Sequence, residues 1–300
     1  MLWVFLSLVY GIFTAIYMLF NQHYKINGYI LGIWRGFGIC ALFLPLLFVV
    51  AIPNQPHYWI LLAIQGVCIG VYDSNIFFNS ARFGAGPTSR FMAVTVLLTA
   101  FIWWLLTPQK FFGLLQNGKI MSVLMFILCG FTFFYWQMLQ NEVSRQVAKA
   151  TMPAVLALAA MSIITKYIAE SGNSVYQGLF YYLTVSTFIS GIYNLLLYLW
   201  QNRKLKATAL RQIIAPKMHR IGAYLITFSS VLIAAKTLAL RLAPNPAYVI
   251  ALLLIAPLFI YLFNRNQKIA DNISVKAGFA MIAFLLALII LVTGNFGITD

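Results

Sequence analysis

The chain has 300 residues, of which 62% are hydrophobic and only 8% are charged, and its mean hydropathy is +0.89. A surface of that composition is too apolar to face water, so we exclude an ordinary soluble protein and predict an integral membrane protein in contact with the lipid bilayer. The formal net charge of +15 comes from 20 Lys and Arg against 5 Asp and Glu. In such a chain basic residues mark cytoplasmic loops, so we expect no nucleic-acid partner.

Ten apolar runs are long enough to cross a bilayer, and polar residues bound each of them. The runs show no alternation of period two, so they predict an all-α integral membrane fold rather than a barrel of strands. The first run lacks a basic leader and is expected to be a retained helix. The ten predicted spans cover about residues 2–20, 28–51, 58–79, 88–107, 119–137, 148–169, 175–199, 220–241, 246–264 and 275–294.

Positive charge is distributed unevenly between the loops on the two sides. The odd-numbered loops carry 13 Lys and Arg, six of them in the long loop at residues 201–220, and the even-numbered loops carry four. Because cytoplasmic loops are enriched in basic residues, we expect the odd loops to lie in the cytoplasm and both termini to face outward. The basic residues of the odd loops are Lys25, Arg82, Arg145, Lys149, Arg203, Lys204, Lys206, Arg211, Lys217, Arg220, Arg265, Lys268 and Lys276; those of the even loops are Lys110, Lys119, Lys166 and Arg241.

No catalytic or metal-binding pattern is visible. The three cysteines lie in apolar runs without Cys-x-x-Cys or Cys/His ligand spacing, and the three histidines lie in loops or at span ends. No P-loop lysine motif is present, so we expect no ATP drive. We predict a protein that is not an enzyme and uses no metal or cofactor. The residues concerned are Cys40, Cys68, Cys129, His23, His57 and His219.

Two junctions between predicted spans are similar to each other. Residues 80–87, Ser-Ala-Arg-Phe-Gly-Ala-Gly-Pro, join spans three and four, and residues 239–246, Ala-Leu-Arg-Leu-Ala-Pro-Asn-Pro, join spans eight and nine at an offset of 159 residues. A five-plus-five duplication requires this placement, and because five is odd the second copy enters the membrane upside down. We therefore predict two inverted five-helix repeats, at residues 1–140 and 141–300.

Four short motifs accompany these repeats. They are Ile-Trp-Arg-Gly at 33–36, Phe-Asn-Ser-Ala-Arg-Phe-Gly at 78–84, Thr-Pro-Gln-Lys at 107–110 and Asn-Pro-Ala-Tyr at 245–248. Together they resemble the drug/metabolite transporter superfamily, specifically its EamA-type ten-helix members. The resemblance covers nearly the whole chain, although the Gly-Glu-Arg expected after span four is replaced by Pro-Gln-Lys at 108–110.

The resemblance implies a fold of five plus five inverted helices around a central cavity lined by spans 1, 3, 4, 6, 8 and 9. It also implies export of amino acids, metabolites or drugs. It further implies cytoplasmic termini, whereas the loop charges predict outward termini. We follow the charges, because the Lys and Arg of this chain direct its own insertion.

Ionisable residues within a span are costly to insert, so each needs a partner or a function. Arg35 and Asp73 fall at similar depth on adjacent spans, which predicts a structural ion pair; alternatively, Asp73 faces the cavity as a proton or amine site. Lys166 precedes Glu170 by four residues, the spacing of a paired lysine near the outer end of a helix.

Lys236 differs because it lies well inside span eight, with no acidic residue on its helix or at its depth on a neighbouring helix. Three interpretations remain open: its apolar surroundings keep it uncharged, it extends outward to water, or it awaits the carboxylate or phosphate of a substrate. Ser229 lies on the same helical face two turns earlier. We favour the third interpretation.

Polar side chains also recur on spans one and three. Tyr10, Thr14 and Tyr17 form one stripe on an otherwise apolar helix, and a stripe that lipid cannot solvate is expected to face a cavity. Gln65, Asn75 and Asn79 extend the argument to span three, where Gln65, Asp73 and Phe77 are expected to share one helical sector. The predicted substrate-binding residues are Lys236, Ser229, Tyr10, Thr14, Tyr17, Gln65, Asp73 and Phe77.

These features favour a secondary transporter of the inner membrane, acting as a monomer or homodimer. It is expected to export a small organic metabolite such as an amino acid by alternating access. One alternative is transport of phosphorylated or nucleotide-type anions, which the intramembrane cations would also suit. Another is a lipid flippase or a membrane interaction subunit. A membrane enzyme is disfavoured because no cluster of carboxylates or histidines is present.

Overall fold

The protein is helical throughout the part that the structure, a computed structural model, describes: residues 2–140, 144–172, 174–269 and 275–296. Helices joined by short turns fill these ranges, and no strand occurs within them. In chain order the helices are α1 Leu2–Tyr24, α2 Gly28–Phe43, α3 Pro56–Phe83, α4 Ala85–Phe91, α5 Val94–Leu106, α6 Pro108–Gln116, α7 Gly118–Gln140, α8 Arg145–Ser171, α9 Val175–Tyr181, α10 Thr187–Gln201, α11 Lys206–Ile213, α12 Pro216–Leu242, α13 Pro246–Leu252, α14 Ala256–Asn266 and α15 Val275–Phe296.

Eight helical segments of the described chain are long and apolar enough to cross a membrane, so the protein is a multi-pass membrane protein. They coincide, to within three residues at the ends that fall short, with eight of the ten predicted spans. The fifth and tenth predicted spans fall in α7 and α15, whose apolar stretches are shorter over the described side chains, at Gly118–Phe131 and Lys276–Leu291. The eight segments are Leu2–Tyr24, Gly28–Phe48, Pro56–Phe83, Ala85–Leu106, Arg145–Ser171, Tyr176–Gln201, Pro216–Leu242 and Pro246–Asn266.

Four of the predicted spans depart from a continuous α-helix, which the sequence had predicted for each. The second ends in a 3-10 turn at Leu44–Phe48 and the fourth breaks between α4 and α5. The seventh contains a π-helical turn at Tyr182–Ser186, and the ninth contains a 3-10 turn at Leu253–Ile255. The last interruption has a direct cause. Pro257 has no amide hydrogen and its ring crowds the carbonyl of Leu253, so regular α-helical hydrogen bonding cannot continue through this turn.

Two segments that the sequence predicted as loops also contain helix. The basic stretch at 201–220 includes α11, Lys206–Ile213, and the predicted turn at 107–110 contributes the first residues of α6. The reason is visible in the second case, because Pro108 is the first residue of α6, where its fixed φ favours helix and its missing N–H is not needed. Four of the six basic residues lie in the connection between α10 and α12, and the other two, Lys217 and Arg220, lie in the first turns of α12.

Glycines allow the central helices to pack closely. α2 packs on α10, where a Cβ added to Gly36 would lie 2.6 Å from the Cα of Gly191. A Cβ on Gly66 of α3 would lie 2.7 Å from the backbone oxygen of Ser186. Lipid tails are as apolar as the helix surfaces, so the hydrophobic effect does not drive the helices together. Close contacts between small residues instead provide the van der Waals packing that holds a membrane bundle together.

The long-range contacts pair helices that are far apart in the chain. α1 packs on α12 and α3 packs on α8, while α2, α5 and α7 pack on α10, α13 and α15 respectively. The first three helices are therefore in contact with α8, α10 and α12 rather than forming a separate bundle. Side chains from both parts of the chain meet in the centre.

Candidate functional site

The candidate site is a buried polar cluster, which we call the central cluster, and it begins with an ion pair between α2 and α3. Arg35 Nη1 donates to Asp73 Oδ2. The side chains of Arg35 and Asp73 are only 4% and 0% exposed. A charged pair shielded to this degree is tolerated only when each member compensates the other, so the pair ties the two helices together.

Tyr17 of α1 lies over this ion pair. The Arg35 guanidinium carbon is 5.4 Å from the centre of the Tyr17 ring, which is within the range of a cation–π contact. The other side of the ring meets Phe77, with centroids 4.5 Å apart. Phe77, predicted as a ligand-binding residue, is fully buried and positions the tyrosine.

Several polar atoms of the central cluster have no hydrogen-bond partner among the described residues. They belong to side chains that are themselves buried, so water does not satisfy them from outside the bundle. An unsatisfied polar atom inside a protein is costly, and several in one place indicate a position for a ligand or for water. The atoms are Tyr17 Oη, Arg35 Nε, Asp73 Oδ1, Gln65 Oε1 and Lys236 Nζ.

Lys236 of α12 is the third ionisable residue of the central cluster. Its side chain is buried, with 1% of the residue exposed, and Nζ has no hydrogen-bond partner within the described chain. Arg35 and Asp73 are close enough for their charges to act on it through space, as is Cys68. The fold therefore brings an acidic residue closer to Lys236 than its sequence position suggested, but without a hydrogen bond.

Burial excludes one of the three interpretations that the sequence left open for Lys236, namely a lysine that extends to water. A lysine that extends to water would expose its ammonium, whereas the Lys236 side chain is enclosed. The ammonium lies in a region where Arg35 supplies further positive charge and Asp73 supplies one negative charge. Because Asp73 is already paired with Arg35, Lys236 is the basic residue of the central cluster that has no acidic partner of its own among the described residues.

The other predicted site residues have different positions. Gln65 donates through Nε2 to Thr165 Oγ1, at 2.9 Å, so it joins α3 to α8 and keeps only its carbonyl oxygen free. Thr14 donates to the backbone oxygen of Tyr10, at 2.8 Å, and this bond remains within α1. Ser229 is fully buried and its hydroxyl has no partner among the described residues.

Tyr10 belongs to the same region, together with two tyrosines that were not predicted as site residues. The charge of Arg35 acts on Tyr10, on Tyr72 of α3 and on Tyr182, and all three are buried. Tyr72 precedes Asp73 directly, which is a usable sequence signal. Tyr182 begins the π-helical turn, and no pattern in the sequence predicts that turn.

Lys166 of α8 occupies a separate site, where groups of the protein itself bind its ammonium. Its Nζ donates to the backbone oxygens of Leu240 and Ala243, at 3.1 and 2.7 Å, and pairs with Glu170 Oε1 at 2.7 Å. These oxygens lie at the carboxyl end of α12, where helical carbonyls lack partners and attract a cation. Arg241 completes this site by donating from α12 to Ala169 O at 2.7 Å.

The described residues hold no group of three or more His, Cys, Asp or Glu side chains that could bind a metal ion. What the central cluster offers instead is ammonium, guanidinium, carboxylate and phenol groups. These groups bind ionic and hydrogen-bonding parts of a small molecule, and they are supplied by helices from both halves of the chain.

Comparison with known proteins adds no relative. No protein-family model matches this chain, and no curated protein matches its sequence. The class that the fold defines is therefore a multi-pass helical membrane protein with a buried, charged central cluster.

Proposed function

We propose that the protein is a secondary active transporter that moves a small organic metabolite, such as an amino acid, by alternating access, in the direction of export. The observation that carries this proposal is the Lys236 ammonium, which is enclosed in the bundle and has no hydrogen-bond partner in the described chain. A buried charge is costly unless something compensates it. A substrate carboxylate bound at Lys236 provides that compensation, while Tyr17 and Asp73 orient the rest of the molecule.

The helix contacts support two inverted five-helix repeats as the framework for this movement. We number α1, α2, α3, α4–α5 and α7 as spans one to five, so that α8 is span six and α12 is span eight. Exchanging each span for its counterpart five positions away turns the contact between spans one and eight, α1 and α12, into the contact between spans six and three, α8 and α3. The contacts of α2 with α10, of α5 with α13 and of α7 with α15 are each converted into themselves. Inverted repeats of this kind allow alternating access around a site at their interface.

The side chains at the ends of the first helix of each half support the same framework. Near the end of α1, Asn21 donates to the backbone oxygen of Phe77, at 2.8 Å, and so joins α1 to α3. Near the end of α8, Lys166 donates to carbonyls at the end of α12. We propose membership of the EamA-type transporters on this basis, an inner-membrane location, and the orientation with basic loops in the cytoplasm.

A second candidate is transport of phosphorylated or nucleotide-type anions. The charges of the central cluster favour it, since Arg35 and Lys236 supply two positive charges and Asp73 supplies one negative charge. A phosphate group would be attracted to that excess. The two candidates share the same fold and the same lysine, so they differ only in the substrate that they exchange.

Counterflow in proteoliposomes tests the proposal. The purified protein is reconstituted with internal pools of amino acids, amines or sugar phosphates, and uptake of the matching labelled compounds is measured. We expect amino acids to exchange in the wild type and exchange to be lost in Lys236→Ala, with the variant still folded. Exchange of sugar phosphates alone would favour the second candidate, and retained exchange in the variant would contradict the role of Lys236.

A further inference from the structure

The connection between α10 and α12 combines positive charge with exposed aliphatic side chains. Residues 201–220 contain six Lys and Arg and no acidic residue. Within this stretch, Leu205, Leu210 and Ile214 are 66%, 49% and 65% exposed. Exposed aliphatic side chains among basic residues are unfavourable in water but suit a lipid surface, where the aliphatic groups enter the membrane and the charges meet the headgroups.

This connection lies at the membrane boundary, because it joins two consecutive spans. The seventh span ends at Gln201 and the eighth begins at Pro216. An exposed aromatic residue stands near each of these ends, Trp200 on α10 and Tyr224 on α12. Trp and Tyr collect at the level of the lipid headgroups. Arg220 Nε donates to Tyr224 Oη at 3.4 Å, so the guanidinium group lies at that level as well.

One side of α11 is held against the bundle. Ala209 is buried, and Trp34 Nε1 of α2 donates to the backbone oxygen of Ile213 at 2.8 Å. Tyr198 Oη of α10 donates to Gln212 Oε1 at 2.7 Å. These contacts fix α11 to two membrane-spanning helices, so the helix has a defined orientation at the membrane boundary.

The exposed sides of α11 differ in chemical character. Leu210 and Thr208 lie about 160° apart around the helix, because successive residues are turned by about 100°. Ile214 follows Leu210 by four residues and continues its apolar side. Arg211 is exposed and lies between this apolar side and Thr208. An apolar side bordered by a basic residue is typical of a helix that lies in the membrane interface.

We propose that residues 202–215, which we call the α11 segment, bind anionic phospholipids at the membrane surface. Leu205, Leu210 and Ile214 enter the boundary between headgroups and acyl chains, while Lys204 and Arg211 bind the lipid phosphates. Charge complementarity selects the headgroup. Because the segment carries basic residues and no acid, a lipid with net negative charge, such as phosphatidylglycerol, is bound in preference to zwitterionic phosphatidylcholine.

Collisional quenching tests whether the apolar side lies in the membrane. Leu210→Cys is labelled with bimane in a full-length chain whose native cysteines are replaced by alanine. The protein is reconstituted in vesicles of phosphatidylcholine with a minor share of phosphatidylglycerol. Thr208→Cys, labelled in the same way, is the matched control on the opposite side. We expect nitroxide-labelled lipid to quench position 210 more strongly than 208, and iodide on both sides of the membrane to show the reverse order.

Two results of this experiment would overturn the proposal. Equal quenching of positions 208 and 210 by the nitroxide lipid would show that the apolar side does not enter the membrane. Protection of position 210 from both the lipid and the iodide quencher would show that protein, such as a second copy of this chain, covers it.

The headgroup preference is measured with the same label at position 210. Quenching by nitroxide-labelled phosphatidylglycerol is compared with quenching by nitroxide-labelled phosphatidylcholine at equal mole fraction. We expect association of the anionic lipid to be favoured at least ~10-fold, and this preference to fall at least ~5-fold in Lys204→Gln/Arg211→Gln. The control Arg265→Gln/Lys268→Gln removes the same two charge types at the end of α14 and should keep the preference.

Salt separates a lipid headgroup from a free anion. Sodium chloride should weaken the preference, because it screens exposed charges. Inorganic phosphate should weaken it no further than sodium chloride of equal ionic strength; a larger effect would show that the site takes free phosphate and would overturn the proposal. An unchanged preference in Lys204→Gln/Arg211→Gln would overturn it too. None of these measurements involves transport, so their failure would leave the proposed transport function untouched.

Discussion

Lys166 and Lys236 are both enclosed lysines on apolar helices, yet their ammonium groups have opposite surroundings. Lys166 binds two carbonyl oxygens at the end of α12 and the carboxylate of Glu170. Lys236 has no hydrogen-bond partner among the described residues and lies within electrostatic range of Arg35 and Asp73. One lysine is saturated by the protein itself, and the other is not.

The difference shows how to separate a structural charge from a binding charge in a membrane bundle. A charge used for structure is paired locally, since its cost is offset by contacts that the fold provides. A charge retained without such contacts destabilises the empty protein and is offset only when a ligand is present. The predictions below alter the pairing of one charge at a time.

The largest loss of stability is expected for Asp73→Asn, which breaks the ion pair. This substitution leaves Arg35 buried without a partner, which is the situation of Lys236 and not of Lys166. Removing one partner of a buried pair leaves an uncompensated charge and costs about 3–5 kcal/mol of unfolding free energy. Unfolding of the purified variant in detergent measures this loss. The control is the double variant Arg35→Gln/Asp73→Asn, which should regain most of the stability; equal stability of Asp73→Asn and wild type would show that the pair contributes little.

A loss of about 3 kcal/mol is expected when Lys166 is replaced by Met. The variant loses two hydrogen bonds from a charged donor to carbonyls of α12, and the lower end of the range for such bonds is about 1.5 kcal/mol each. Thermal unfolding in the same detergent gives the measurement. If Lys166→Met melts at the wild-type temperature, the contacts to α12 do not stabilise the fold as described.

The matched substitution, Lys236→Met, is expected to have no destabilising effect on the empty protein. No hydrogen bond to a described residue is lost, the chain keeps a side chain of similar length, and an unpaired buried charge is removed. We expect an unfolding temperature equal to or above that of the wild type, together with loss of exchange. A melting temperature as low as that of Lys166→Met would remove the distinction between the two lysines.

Among the substitutions that are expected to destabilise the protein, Glu170→Gln should have the smallest effect, because it weakens one contact of Lys166 and leaves its two carbonyl bonds. Glu170 is 45% exposed, so water screens the interaction and the loss should be about 0.5 kcal/mol. Comparing the unfolding temperatures of this variant and Lys166→Met separates the ion pair from the carbonyl bonds. A larger effect for Glu170→Gln than for Lys166→Met would show that the ion pair is the principal contact.

Hydropathy alone predicted the helical class and located eight spans, because the cost of exposing backbone in lipid leaves few alternatives. It also identified Arg35 and Asp73 as neighbours from their depth. It did not predict the π-helical turn at Tyr182–Ser186, since local hydrogen bonding there is set by packing between helices. The carbonyl contacts of Lys166 were not predicted either, because they depend on which helix end packs beside this lysine.

The central claim is that the ammonium of Lys236 is kept for a ligand, and restoring that charge chemically tests it most directly. In a background where Cys40, Cys68 and Cys129 are replaced by alanine, Lys236→Cys is treated with 2-aminoethyl methanethiosulfonate, which rebuilds an ammonium side chain. Methyl methanethiosulfonate is the uncharged control. We predict that amino-acid exchange is lost in the cysteine variant, returns with the amine reagent and does not return with the methyl reagent. Equal exchange before and after both treatments would contradict the claim.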